Sequence, residues 1–259
     1  MTVSGSAGED TGPTAARDIR YGDLTYQEIR ERATKGAIAI VPTGCTEQQG
    51  PHLPVGFDTW FAEQLMQTAA DRARTEHGVS ALVLPALPFG PTPEHRNYGA
   101  GSIDIPREVH RQMIWAILSS LVDQGFQRIL VWRGCGGHVL TDLIERFNAL
   151  GRARVYLPDQ PFHVIWRRFG DAAVPGGHAD SFATSICLYL HPNDVRVDRI
   201  INPGNQSFNW TDPNLDFSRY SATEVIGDPT HASTDLGRQL WHASVETAMG
   251  DLVAAANSP

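Results

Sequence analysis

Four short stretches gather side chains that can exchange protons, hold a cation or attack carbon. The densest runs Pro42-Thr-Gly-Cys-Thr-Glu47-Gln-Gln49-Gly-Pro-His52-Leu-Pro-Val-Gly-Phe-Asp58. Two carboxylates and an imidazole lie there between prolines, which fix φ, and glycines, which allow close backbone approach; polar groups on so stiff a loop suit a site. A plainer reading has Asp58 cap a following helix. The second stretch offers Glu94-His95-Arg96 and then Tyr98-Gly-Ala-Gly-Ser102. The third, Arg133-Gly134-Cys135-Gly136-Gly137-His138, is a glycine-rich turn whose amides can face an anion, though it lacks the G-x-G-x-x-G spacing of a dinucleotide site. Cys135 in it can be a nucleophile, a metal ligand or an inert small side chain. The fourth holds His178, Asp180 and Ser181, where one of the last two is expected to cap a helix.

These stretches need elements to hold them. Ala37–Val41 is a short apolar run closed by Pro42, which predicts a buried parallel strand. Ala81–Leu84, Arg128–Trp132 and Ala153–Leu157 read the same way. Helical spacing covers Tyr26–Ala33 with Thr25 as N-cap, Asp58–Arg74 with Phe61, Leu65 and Met66 inward, Pro106–Leu121, His138–Leu150, Ser181–Leu190 and Ser233–Ala255. Strands alternating with helices predict an α/β fold, a mostly parallel sheet covered on both faces. Ligands bind such sheets at the carboxyl ends of the strands, where all four stretches fall. His77, His110 and His242 are read as surface histidines. Asn202–Thr230 is a long polar segment without period, expected to be ordered only by packing, against another subunit for example.

The chain has 259 residues, a size that favours one large domain; residues 18–259 are read as that domain and 1–17, rich in Gly, Ser, Thr and Ala, as a disordered tail. A formal net charge of −8 argues against nucleic acid as a partner. Three cysteines, Cys45, Cys135 and Cys187, give no disulfide framework and suit a reducing compartment. With no apolar run long enough to span a bilayer and no signal-peptide pattern, the expectation is a cytoplasmic protein with no membrane partner.

Taken together the motifs resemble the creatininase (creatinine amidohydrolase) family. PTGCTEQQGPHLPVGFD looks like that family's P-x-G-S-x-E-Q-H-G-P-H-L-P-x-x-x-D, EHRNYGAGSIDI is similar to E-H-x-x-F-P-G-T-x-S-L, and HADSFATS is similar to H-A-G-x-x-E-T-S. The likeness runs from about residue 21 to 255. It implies a three-layer α/β/α sandwich, a homo-oligomer (often a hexamer), and a one- or two-metal site at which a metal-bound water attacks the carbonyl of a C–N bond. By position, Glu47 matches a metal ligand and Asp58 the carboxylate that binds or bridges the metals. Gln49 stands where the family has a histidine, Cys135 where it has the ligand histidine of N-G-H, Arg133 where it has asparagine, and Ala183 where it has glutamate; Asp180 is the nearest acid to that loss.

The resemblance therefore implies a remodelled centre. Glu47, Asp58 and Cys135 are the expected ligands of one divalent metal (zinc, manganese or iron), with a metal-free site as the alternative. Glu47, Cys135, His178 and Asp180 are the expected catalytic groups, and Gln49, His52, His95 and Arg133 the expected substrate contacts. The expected activity is hydrolysis of a non-peptide C–N bond (cyclic amide, lactam or formamide) in a small, polar, nitrogen-containing substrate. Two alternatives stand: a metal-independent enzyme using Cys135 or the Glu47/His178 pair, including amide formation or cyclisation in a specialised biosynthetic pathway, and a non-catalytic binding subunit.

Overall fold

The computed structural model describes residues 17–258, apart from 172, 175, 205–208, 210, 211 and 213. The expected tail lies outside the described residues except for Arg17. Strands β1 (Ile38–Thr43), β2 (Ala81–Val83), β3 (Arg128–Arg133) and β4 (Arg154–Tyr156) form one parallel sheet in the order β2-β1-β3-β4. Ile38 faces Ala81 on one side and Arg128 on the other. Alternate residues of the strands point to opposite faces. Ile38, Ile40, Leu130 and Trp132 pack on α2 (Phe57–His77), α5 (Phe162–Phe169), α6 (Ser181–Leu190) and α7 (Thr234–Asn257). Ala39, Val41, Ile129 and Val131 pack on α1 (Tyr26–Thr34), α3 (Arg107–Asp123) and α4 (Thr141–Asn148). The two apolar clusters make the fold an α/β/α sandwich of three layers.

Several element ends depart from expectation. β1 continues through Pro42, because the Pro42 carbonyl faces the β2 side, where it takes the Leu87 N–H at 3.0 Å; β2 has ended at Val83, so the missing proline N–H costs no ladder bond. Pro106 precedes α3 rather than opening its first turn. α4 starts at Thr141, three residues later than expected, because His138 is drawn inward: its Nδ1 lies 2.9 Å from Thr43 Oγ1. α5 was not anticipated. His110 is fully buried, not on the surface, and its ring lies 4.6 Å from that of His138. The described part of the 202–230 segment is tied down within the chain, through Asn97 Nδ2 to Asp216, Tyr98 Oη to the Ser221 carbonyl and Asn202 Nδ2 to Asp228. Among the described residues no helix is long and apolar enough to cross a membrane.

The topology sets where a site can form. After β1 the chain leaves into α2 on one face, and after β3 it leaves into α4 on the other. β1 and β3 are neighbours, so their carboxyl ends flank a crevice at the point where the strand order reverses. Two of the glycines that shape the crevice have no room for a side chain: a Cβ on Gly44 would strike the Thr59 backbone, and one on Gly134 would strike the Thr43 and Asp58 carbonyls. This lets the first turn of α2 sit directly on the ends of β1 and β3.

Two glycines of α7 test the packing. A Cβ on Gly237 would overlap the Ser185 carbonyl of α6 and come 2.9 Å from Tyr189 Cβ, whereas Gly250 is exposed and meets nothing. Gly237→Ala should destabilise by about 1–3 kcal/mol through overpacking. Gly250→Ala should stabilise by about 0.5–1 kcal/mol through helix propensity. Urea denaturation midpoints check both, and equal shifts of the two variants would contradict the close α6–α7 approach.

Candidate active site

The loop after β1 carries Cys45 and Glu47 two residues apart. Both face the crevice. Cys45 Sγ lies 3.2 Å from Glu47 Oε2 and 3.3 Å from Asp58 Oδ2, and Cys135 Sγ at the end of β3 lies 3.8 Å from Glu47 Oε2. One ligand atom each of Cys45, Glu47, Asp58 and Cys135 falls within 4.8 Å of all the others, and all four residues are buried. Asp58 sits in the first turn of α2 but does not cap it; Gly56 holds the cap position and the Asp58 carboxylate turns to the cluster. Gln49 Nε2–H donates to Asp58 Oδ2 at 3.2 Å, so the residue at the family's histidine position supports a ligand instead of adding one.

A second group faces Glu47 from the other side. His178 Nδ1 is 3.5 Å from Glu47 Oε1 and His95 Nε2 is 3.6 Å from Glu47 Oε2, with their rings 4.4 Å apart. These are not ion pairs. Burial, with the neighbouring histidine second, lowers His95 to about 2, and burial lowers His178 to about 4, so both are neutral near pH 7. Burial first, then the nearby Cys135 and Asp58, pushes Glu47 well above the ordinary carboxylate range, and burial lifts Asp58 to about 6. At Asp58 desolvation outweighs the favourable field of the α2 N-terminus. Burial also drives the Cys45 thiol well above its usual value. Among the described residues neither Glu47 nor Asp58 pairs with an arginine or lysine.

This is a poor resting place for negative charge and a good one for a cation. Two thiols and two carboxylates without a basic partner fit one divalent ion, and thiolate ligands suit zinc or iron better than manganese. One nitrogen of His138 is also within 4.8 Å of both sulfurs. Its Nε2, like that of His110, is buried with no hydrogen-bond partner, and burial holds His138 at about 3. His138 was read as the start of a helix; here it lines the back of the same cluster.

The other expected site residues stand elsewhere. Asp180 is a cap: its carboxylate accepts the N–H groups of Phe182, Ala183 and Gly177, which leaves it no catalytic role. His52 has no exposed surface for a substrate to touch, and its Nε2 meets Thr184 Oγ1 at 2.8 Å. Arg133 does not pair with Glu47; its guanidinium reaches the His138 and Pro158 carbonyls at 3.4 and 3.5 Å, and its Nε has no partner. Cys45 and Gln48 were overlooked. The signal for Cys45 is the Cys-x-Glu spacing in the loop after β1; nothing in the sequence marks Gln48. Asp180→Ala should cost about 1–2 kcal/mol of stability for the lost cap while kcat changes little. Loss of kcat with the thermal midpoint intact would return Asp180 to the chemistry.

Comparison with known proteins follows this geometry. Residues 22–252 match the family model described as creatininase, creatinine amidohydrolase. The mycofactocin precursor peptide peptidase of Mycobacterium tuberculosis is 31% identical over 242 residues, 87% of this chain and 88% of that protein. The creatinine amidohydrolase of Pseudomonas putida is 23% identical over 253 residues, 89% of this chain and 95% of that one. A solved structure from Bacteroides fragilis, assigned as a creatinine amidohydrolase, superposes with a TM-score of 0.81 at 21% identity, covering 94% of this chain and 98% of that chain, which speaks for the fold. With its carboxylate cluster at the crevice and a family match over nearly all the described residues, this chain belongs to the creatininase family of amidohydrolases.

Proposed function

We propose that this chain hydrolyses an amide C–N bond of a small, polar, nitrogen-containing molecule (a cyclic amide, lactam or formamide) at a centre that takes a single divalent cation. The observation that carries the reading is the buried packing of Cys45, Glu47, Asp58 and Cys135 within 4.8 Å of one another. Each is negative once deprotonated, and their mutual repulsion is relieved by a cation between them. Donor chemistry favours zinc. When bound, such an ion polarises the substrate carbonyl and lowers the pKa of a water molecule. A single ion is favoured because Gln49 occupies Asp58 Oδ2 with an N–H and Ala183 offers no ligand.

The chain's own groups supply the rest. Neutral His178, with a nitrogen 3.5 Å from Glu47, can take a proton from the attacking water and return it to the leaving nitrogen. Arg133, bonded only to carbonyls and beside the glycine-rich turn, is placed for an anionic group of the substrate. Glu47 and His95 are each only 2% exposed, which keeps bulk water from the reacting atoms and suits a small substrate or a thin chain end.

A peptide bond is the second reading, favoured by the Mycobacterium tuberculosis relative, whose name describes a peptidase of a precursor peptide. A homo-oligomer, hexameric by family resemblance, fits the partly exposed apolar groove of α3 lined by Met113, Ala116 and Ile117, and light scattering reads it directly. The free, buried cysteines suit a cytoplasmic setting.

Purified protein supplemented with zinc should hold about one equivalent, and Cys135→Ala and Glu47→Gln should each lower that content. Metal content under a tenth of an equivalent, measured by plasma mass spectrometry, sinks the metal reading. Calorimetry in buffers of different ionisation enthalpy should show about three protons released per zinc at neutral pH, because Glu47 and the Cys45 and Cys135 thiols, which both donate to it, must give theirs up, and affinity should fall below about pH 6 as Asp58 keeps its own. No proton release would contradict protonated ligands. Against a panel of lactams, cyclic amides, formamides and short peptides, turnover of the first three classes supports the proposal and turnover of peptides alone replaces it with the second reading. Activity that survives chelation but not Cys135→Ala points to the metal-independent enzyme, and no turnover of any kind to a binding subunit.

A further inference from the structure

We infer that Gln48 sets the tautomers of both histidines at Glu47, so that they play opposite parts: His178 presents a lone pair and His95 presents an N–H. The inference takes its chemistry from the proposed function but not its test.

The chain of contacts begins at Gly50. Its N–H donates to Gln48 Oε1 at 2.9 Å. A backbone N–H can only donate, so the atom it meets is the amide oxygen and the other atom is the NH₂. The loop cannot easily rearrange: Gly50 has φ +63, and a Cβ there would lie 2.6 Å from Val225 Cγ2 and 3.0 Å from His52 Nδ1. With the amide so oriented, Gln48 Nε2 lies 2.6 Å from His95 Nδ1. An NH₂ group has no lone pair to offer, so His95 Nδ1 accepts. A ring that accepts at Nδ1 is not an imidazolium, so its proton is on Nε2. That N–H faces Glu47 Oε2 at 3.6 Å and Glu94 Oε1 at 4.0 Å.

The main chain of the same residue does the opposite job. The Gln48 carbonyl lies 2.6 Å from His178 Nε2, and a carbonyl can only accept. His178 therefore carries a proton on Nε2, and its neutral form keeps the lone pair on Nδ1, 3.5 Å from Glu47 Oε1. One residue, by side chain and backbone, thus gives the centre a proton acceptor and a proton donor from two neutral imidazoles.

The assignment separates groups that distance alone does not. Glu47, His95 and His178 lie close enough together to hold a cation. His95 cannot be a ligand there, because its lone pair is spent on Gln48 and its other nitrogen bears hydrogen. His95 instead offers a hydrogen bond to the substrate's carbonyl oxygen as negative charge builds on it. His178 takes a proton from the attacking water. Gln48, which touches neither substrate nor reacting atom, is a positioning residue.

The test is the imidazole ¹⁵N spectrum of histidine-labelled full-length protein, as purified and after zinc loading, with no substrate. Two-bond ¹⁵N–¹H correlations distinguish the two neutral tautomers, and both His95 and His178 should be protonated on Nε2. Gln48→Glu places an acceptor at His95 Nδ1 and should move that proton to Nδ1, while His178, held by a main-chain carbonyl, stays as it was. His178 is thereby an internal control for misfolding. The variant's kcat should fall about a hundredfold to a thousandfold with KM little changed, the scale of losing one hydrogen-bond donor to the developing oxyanion. A wild-type His95 protonated on Nδ1 overturns the inference, and so does a Gln48→Glu protein in which the two histidines change together or not at all. If Gln48→Glu does not fold, the wild-type spectrum decides alone. Absence of turnover on every amide would refute the proposed function and leave the tautomers standing.

Discussion

Everything at this centre depends on β1 and β3 being hydrogen-bonded neighbours whose chains depart to opposite faces of the sheet. That divergence opens a crevice at the carboxyl ends of the two strands without any break in the core beneath it. Cys45 and Cys135 come from those two strand ends, and Asp58 from the first turn of the helix that β1 feeds. Because Gly44 and Gly134 leave no side chain between strands and helix, the three arrive within contact of Glu47. The apolar residues that alternate along β1 and β3 lock the pair in register, so the site inherits its stiffness from the core.

Burial is the second controlling force. Out of water, a carboxylate or thiolate is costly unless a cation or a proton accompanies it. The cluster answers with protons: Glu47 and Cys45 hold theirs, and Asp58 is lifted to about 6. The histidines respond in the opposite sense, since burial favours their neutral forms. The result is a pocket of easily ionised groups, Asp58 already charged near pH 7 and Glu47 and Cys45 not, in which a divalent ion can displace protons and a neutral imidazole can accept one. Gln49 and Ala183 offer no ligand of their own to the proposed metal, and Cys45 and Cys135 add sulfur to the donor set it would meet.

Much of the architecture is legible in the chain's own pattern. The run Ala37–Val41 must be buried on both faces, and the alternation of such runs with helical spacing leaves few arrangements other than a covered parallel sheet. Thr25, Ser233 and Asp180 mark helix starts by the cap chemistry they bring. The site's location is legible too, because Glu47, Asp58, Cys135 and His178 all fall just beyond strand ends or just before helices. Less legible are the roles. Asp180 and Asp58 are both acids beside a helix N-terminus, yet one caps and the other turns into the cluster. Local sequence does not separate them, since the difference lies in what stands across the crevice.

The sequence by itself determined the layers, the family, the loop that bears the acids and the loss of two ligand positions, because periodicity and motif spacing are local properties. Only the tertiary structure decided which side chains meet. It brought Cys45 to Glu47 and Asp58, drew His138 and His110 inside, removed His52 and Asp180 from the chemistry, and hung two histidines from the side chain and carbonyl of Gln48. These are contacts between residues up to 132 positions apart. They follow from the packing of loops over strand ends, where geometry, not residue type, chooses whether a carboxylate caps a helix or turns into the cluster.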